Sequence, residues 1–223
     1  MKIVAHRGKT NQALENTIEA FLAAARDHQF EGIECDVYST IDHEFVIHHD
    51  HHLSRLANDD RLIMDLTYKK LENINLKGID GTLYKIPHLV EFLNICKNHQ
   101  KRPIIEIKKL HDISLLHNLL TLLDDYMDLN PMIISFDLNY LKYLRTLSNI
   151  DLYILTTEIT GQLMYDCRVN EINFYINKES VTKDLVDVLK NKGFMVGVFT
   201  VNDHDTRVLC EKLKVDYLTT DQS

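Results

Sequence analysis

Short apolar runs rich in Ile, Val and Leu recur along the chain, separated by stretches whose apolar positions repeat with a helical period. The strand-like runs are 3–7, 32–40, 103–107, 132–136, 152–156, 172–176, 194–200 and 216–220. Most are followed by a helical pattern. In the first of these, Ile18, Phe21, Leu22 and Ala25 fall on one face after a start signal at Asn16, with Glu19 three residues on. Pro87 opens another, in which Leu89, Phe92, Leu93 and Cys96 share a face. Further helical patterns cover 113–127, 138–147, 159–169, 181–192 and 205–213.

Strands alternating with helices predict a parallel sheet, and eight such units predict a closed (β/α)8, or TIM, barrel of the α/β class. Residues 45–50 read as an additional strand, forming a hairpin with 32–40 across the turn at 41–44. Residues 51–86 are polar and irregular apart from a short helical pattern near 66–74, which marks a small insertion or lid after the second strand. No repeat, low-complexity tract or Pro/Gly-rich linker divides residues 1–223, so a single domain is expected. The sequence stops just past the eighth strand, so the barrel is expected to lack its eighth helix. Covering that flank is left to residues 109–127, to a second subunit of a homo-oligomer, or to further sequence.

Composition narrows the partners. The chain of 223 residues is 45% hydrophobic and 26% charged, which suits an ordinary globular core. A net charge of −8 without a basic run disfavours nucleic acid and anionic membrane surfaces. No stretch approaches the roughly 18 apolar residues of a membrane span. Cys35, Cys96, Cys167 and Cys210 are scattered in apolar contexts and read as reduced core thiols. Together with an N-terminus that lacks a leader-like apolar core, this points to the cytoplasm and a small diffusing substrate.

The candidate chemistry gathers where strands of such a barrel end. Side chains two apart on a strand share a face, so Glu34 pairs with Asp36, and Glu106 with Lys108. His6 and Arg7 end the first strand, and His49 ends the hairpin partner. Carboxylates packed together in a core-like strand call for a positive charge between them, and a hard divalent cation prefers such oxygens. Arg7 and Lys108 can hold an anion such as phosphate, or simply pair with the strand-end carboxylates. Two histidines can work as general acid and base near neutral pH. Such a set suits phosphodiester chemistry. The neighbours His48, His51 and His52 read as solvated loop, and Phe136 and Phe199 as either core or substrate wall.

The ordered motifs resemble the glycerophosphodiester phosphodiesterases. That family opens with HRG and PENT, matched by His6-Arg7-Gly8 and Leu14-Glu15-Asn16-Thr17. Its E-x-D-V-x-x-T-x-D and V-x-x-H-D segments are similar to residues 34–42 and 46–50, and its L-x-R to Leu53 and Arg55. Ile86-Pro87-His88-Leu89, Ile105-Glu106-Ile107-Lys108, Phe199-Thr200-Val201-Asn202 and residues 215–221 follow in order. Leu14 departs from the usual Pro, Phe199 from the common Trp, and Gln222-Ser223 from the usual ending.

The resemblance implies metal-dependent hydrolysis of glycerophosphodiesters to sn-glycerol 3-phosphate and an alcohol. It implies Glu34, Asp36 and Glu106 on one divalent cation, Ca²⁺ or Mg²⁺. His6 and His49 would be the acid/base pair, Arg7 and Lys108 would lie on the phosphate, and Phe199 would form an aromatic wall at the glycerol end. The alternatives are a relative acting on lysophospholipids or polymeric glycerol phosphate, and a non-catalytic barrel serving as a binding module. For a lysophospholipid, residues 51–86 show little apolar clustering in sequence. No metal ligand or histidine is missing, which weighs against the binding module.

Overall fold

The computed structural model describes residues 1–222. Eight parallel strands close a barrel: β1 (Lys2–Ala5), β2 (Gly32–Ser39), β6 (Arg102–Lys109), β7 (Met132–Ser135), β8 (Asp151–Thr156), β9 (Asn173–Asn177), β10 (Val196–Phe199) and β11 (Tyr217–Thr220). Each hydrogen-bonds to the next, and β1 pairs with both β11 and β2 to complete the ring. The short strand β3 (Phe45–Ile47) runs antiparallel on β2, as the hairpin pattern predicts. Between β3 and β6 lie α2 (Ser54–Ala57), α3 (Tyr68–Leu71) and a two-stranded ribbon of β4 (Leu76–Lys77) and β5 (Leu83–Tyr84).

The outer helices are α1 (Ile18–Arg26), α4 (Leu89–His99), α5 (Leu115–Leu123), α6 (Leu138–Leu147), α7 (Gly161–Val169), α8 (Lys183–Asn191) and α9 (His204–Lys212). The helix starts differ from expectation at two places. Thr17, not Asn16, caps α1, accepting from the Ala20 N–H, while Asn16 sits one step outside in a left-handed conformation. Pro87 does not open α4. Its carbonyl accepts from Ile47 N–H, and His88 caps the helix through Nδ1 while Glu91 accepts from the His88 N–H.

Alternation along β2 sorts its side chains. Ile33, Cys35 and Val37 face the main core beneath the helices, where Phe21 of α1 meets Phe92 of α4 edge-on at 4.7 Å. Inside the barrel, Val4, Ile104, Met132, Ile134, Tyr153, Leu155, Tyr175 and Tyr217 pack as a separate cluster. Gly197 makes room there for the ring of Tyr175, which a Cβ would meet at 2.4 Å. The Tyr175 hydroxyl then lies 2.6 Å from Thr219 Oγ1 across the barrel. All four cysteines are buried free thiols.

No helix follows β11 among the described residues. Residues 109–127, one of the three candidates for covering that flank, lie elsewhere: α5 and the 3₁₀ turn after it pack between α4 and α6. The insertion is also better formed than its polar sequence implies. Leu53, Ile63, Met64, Leu66, Leu71, Leu76, Tyr84 and Ile86 make a second small core with Tyr38 and Val46. Its apolar residues are spread over 34 positions without a period, and only tertiary packing brings them together. Among the described residues, no helix is long and apolar enough to cross a membrane.

Candidate active site

The carboxylates gather at the C-terminal rim because β2 and β6 run in parallel register, with Asp36 directly opposite Glu106. Glu34 and Asp36 are almost fully buried, and Glu106 nearly so. One oxygen from each lies within 4.8 Å of the other two. Just beyond this pair the β2–β6 register slips by one residue, leaving Lys108 unpaired in the ladder. Its ammonium turns back over the cluster, 2.7 Å from Glu106 Oε1 and 3.3 Å from Asp36 Oδ1.

The other wall comes from the loop after β1. Arg7 and Gly8 both adopt positive φ, and a Cβ at Gly8 would come 2.7 Å from the Ala20 backbone. This turn brings Arg7 N–H to Glu34 Oε2 at 2.9 Å and Arg7 Nε to within 3.1 Å of Asp36 Oδ2. Asn16, buried and also left-handed, donates to Asp36 Oδ2 at 2.7 Å and accepts from the Asp36 N–H. Arg7 and Lys108, expected on a phosphate, therefore both pair with Asp36 here.

These contacts set the charge states. Burial, reinforced by Asp36 and Glu106, pushes Glu34 well above the usual carboxylate range. Glu106 is raised by burial and by Asp36. Burial acts on Asp36 too, but Arg7 and Lys108 outweigh it and hold its carboxyl below the ordinary value. Glu34 Oε1, Asp36 Oδ1 and Glu106 Oε1 are buried and accept no well-aligned hydrogen bond. Lys108 alone faces two of these oxygens, three buried carboxylates so close together are costly, and three converging hard donors fit a divalent cation. Glu34, Asp36 and Glu106 would hold it.

Both histidines are held by a carboxylate at Nδ1. His6 Nδ1 lies 2.7 Å from Asp221 Oδ1. Asp221 in turn takes a hydrogen bond from Asn202 Nδ2 and donates its own N–H to Asn202 Oδ1. His49 Nδ1 lies 2.7 Å from Asp50 Oδ1, and its backbone is placed by the β3 hairpin, where His48 N–H bonds Asp36 O. Such a partner fixes the ring orientation and leaves Nε2 free for proton exchange. Burial lowers the His49 pKa from its ordinary value, against the opposing pull of Asp36. Asp50 is pushed down to about 2, its hydrogen bonds from Arg55 and His49 outweighing burial.

Two aromatic rings meet from the ends of β7 and β10, with two strands between them in the barrel. Phe199 closes β10 and meets the exposed ring of Phe136 edge-on at 6.0 Å, with Tyr175 beneath at 6.3 Å. His48 corrects the sequence reading: it is 1% exposed, not solvated loop, because the strand pattern extends one residue past β3. The sequence leaves Glu15 open between a loop-stabilising and a ligand-touching role and assigns none to Asp50, Asn202 and Asp221, although each sits inside or next to a matched motif. Only the folded chain shows that they hold Arg7, His49 and His6.

Comparison with known proteins places this arrangement. The profile of the Glycerophosphoryl diester phosphodiesterase family matches residues 6–223. YhdW of Bacillus subtilis (strain 168), a candidate glycerophosphodiester phosphodiesterase, is 25% identical over 232 aligned positions, covering 99% of this chain and 94% of its own. Glycerophosphodiester phosphodiesterase 1 of Homo sapiens is 32% identical over 111 residues, spanning 47% of this chain and 33% of that protein. Among solved structures, an Oleispira antarctica phosphodiesterase in complex with the product sn-glycerol-3-phosphate superimposes with a TM-score of 0.91 at 23% identity. That match covers 99% of this chain and 93% of the other. The Thermotoga maritima glycerophosphodiester phosphodiesterase superimposes at 0.82 and 24% identity, over 99% and 94% of the two chains.

Proposed function

Because the chain belongs to the glycerophosphoryl diester phosphodiesterase family, hydrolases of phosphodiester bonds, we propose that it cleaves small glycerophosphodiesters to sn-glycerol 3-phosphate and an alcohol. The observation that carries this is the buried trio of Glu34, Asp36 and Glu106, one oxygen from each lying within 4.8 Å of the other two. These three would hold a Ca²⁺ or Mg²⁺ ion, which would supply Lewis-acid stabilisation of charge on the phosphoryl oxygens. The protein's own groups do the rest. Arg7 and Lys108 bring two positive charges to the same point and orient the phosphate.

His49, its neutral form favoured by burial, takes the proton from the attacking hydroxyl, whether of water or of the neighbouring glycerol carbon. In the second case a cyclic phosphate forms, and a water then opens it, returning the proton to the glycerol oxygen. As the new P–O bond forms and the old one breaks, His6 gives its proton to the departing alcohol oxygen. Asp221 and Asp50 keep the two rings aimed throughout. Phe199 supplies an apolar wall for the glycerol carbons. The substrate is small and the site lies at the barrel mouth, which suits a diffusing diester in the cytoplasm.

Release of sn-glycerol 3-phosphate from glycerophosphocholine and glycerophosphoethanolamine, with Mg²⁺ or Ca²⁺, tests the reading beside His6→Ala and His49→Ala. Each variant is expected to lose about 100-fold or more in turnover. Unchanged activity in either variant would refute the assignment of roles.

A further inference from the structure

One matched sequence feature, Leu53 and Arg55, is not used by the chemistry above. Its place in the fold gives it a purpose. Arg55 lies on α2, the first helix of the insertion, and its guanidinium spans two carboxylates from different parts of the chain. Nε bonds Asp50 Oδ2. Nη2 bonds Glu15 Oε1 at 2.6 Å, with Nη1 at 3.4 Å from Oε2. Asp50 is the residue that holds His49, and Glu15 is bonded by Nη1 of Arg7 at 3.2 Å. An unbroken series of contacts thus runs His49, Asp50, Arg55, Glu15, Arg7, Asp36. Leu53 is fully buried in the small core of the insertion and receives a hydrogen bond from Ala57 N–H, so it anchors the turn that presents Arg55.

We propose that Arg55 is a positioning residue that fixes His49 through Asp50 and Arg7 through Glu15, making the insertion a rigid strut of the site. This rests on the reading of His49 as an acid/base residue. The chemistry favours arginine specifically. Its planar fork can meet two carboxylates at once in fixed directions, whereas a lysine ammonium is a point charge on a flexible stem. His6 is held differently: Asp221 exchanges hydrogen bonds with the neutral Asn202, and among the described residues no hydrogen bond ties it to the insertion. Removing Arg55 should therefore loosen one dyad and spare the other.

Two readouts test this, one of them independent of turnover. In ¹⁵N-labelled protein the Nδ1 protons of His6 and His49 should both exchange slowly with water. In Arg55→Ala the His49 signal is expected to be lost to exchange while that of His6 persists. Kinetically, Arg55→Ala should lower kcat about 10- to 100-fold, the size usual for a partner that orients a functional histidine, with a smaller rise in KM from the loosened Arg7. Arg55→Lys should restore only part of that loss. The losses of Arg55→Ala and Asp50→Asn should be markedly less than additive in the double variant, and those of Arg55→Ala and Asp221→Asn additive. A His49 signal unaffected by Arg55→Ala would overturn the proposal even if the protein proved inactive on both diesters. Inactivity of the parent with the His49 signal lost on substitution would instead refute the reaction and leave the positioning role standing.

Discussion

Replacing Glu34 with Gln separates what this site costs the fold from what it does for the reaction. Without a bound cation, Glu34 faces two other carboxylates whose nearest oxygens lie within 4.8 Å. At an effective dielectric near 20, two like charges at that distance repel by about 3 kcal/mol. Arg7 and Lys108 offset much of this, but three acids against two cations leave one negative charge uncompensated in a buried place. A glutamine keeps the acceptor for the Arg7 N–H, removes the charge and adds an amide donor beside the facing carboxylate oxygens. The cation-free variant should therefore be more stable than the parent by about 2 kcal/mol, a Tm gain of roughly 4–8 °C for a chain of this length.

The gain has a definite pH dependence. Glu34 has a folded-state pKa raised above its unfolded value. Its contribution is thus intact below the ordinary pKa of 4.5 and is lost as pH rises through the raised value. The advantage of Glu34→Gln should be small at pH 4.5 and grow towards pH 8. Saturating Ca²⁺ or Mg²⁺ should reverse the order, because at 100 times Kd a ligand stabilises its host by about 2.7 kcal/mol. Differential scanning calorimetry in chelator and in each cation reads both effects. A variant less stable than the parent in chelator at pH 8, or a parent stabilised by neither cation, would refute the reasoning.

Two further outcomes follow from the geometry. Because burial lowers the His49 pKa, protonation of this ring should set an acid limb of kcat/KM below pH 6.5, with activity falling as pH drops through it. A pH–rate profile in the presence of cation checks this, and a limb above pH 6.5 would contradict it. Gly8→Ala should destabilise the fold by about 2 kcal/mol or more, since the position is left-handed and its Cβ would strike the Ala20 backbone. Urea denaturation measures the loss, and full stability would show that the turn carrying His6 and Arg7 can shift without cost.

The barrel was legible because the period of apolar positions is set by local geometry, and β2, β6 and β11 sit where the pattern places them. The site residues were legible for a related reason. Glu34 with Asp36, and Glu106 with Lys108, alternate along single strands, so their common face is fixed by the pleat. What the pattern could not carry is what depends on contacts between distant segments. His48 reads as one histidine in a polar run, yet it lies buried against the end of β2. The small core of the insertion joins Leu53 to Ile86 with no period to reveal it. Likewise, nothing local in Thr17 or His88 outranks Asn16 or Pro87 as a helix start. The choice is made by Asn16 being needed at Asp36 and by Pro87 being held against Ile47.

Whether the Glu34, Asp36 and Glu106 trio works through one bound divalent cation is read by stripping the protein with chelator, titrating Mg²⁺ or Ca²⁺ back, and following sn-glycerol 3-phosphate release from glycerophosphoethanolamine alongside bound metal. No turnover is expected in chelator, with activity returning in proportion to one cation per chain and no such recovery in Glu34→Gln at the same cation concentration. Full turnover in chelator, or activity that rises without metal bound to the trio, would contradict that role of the trio.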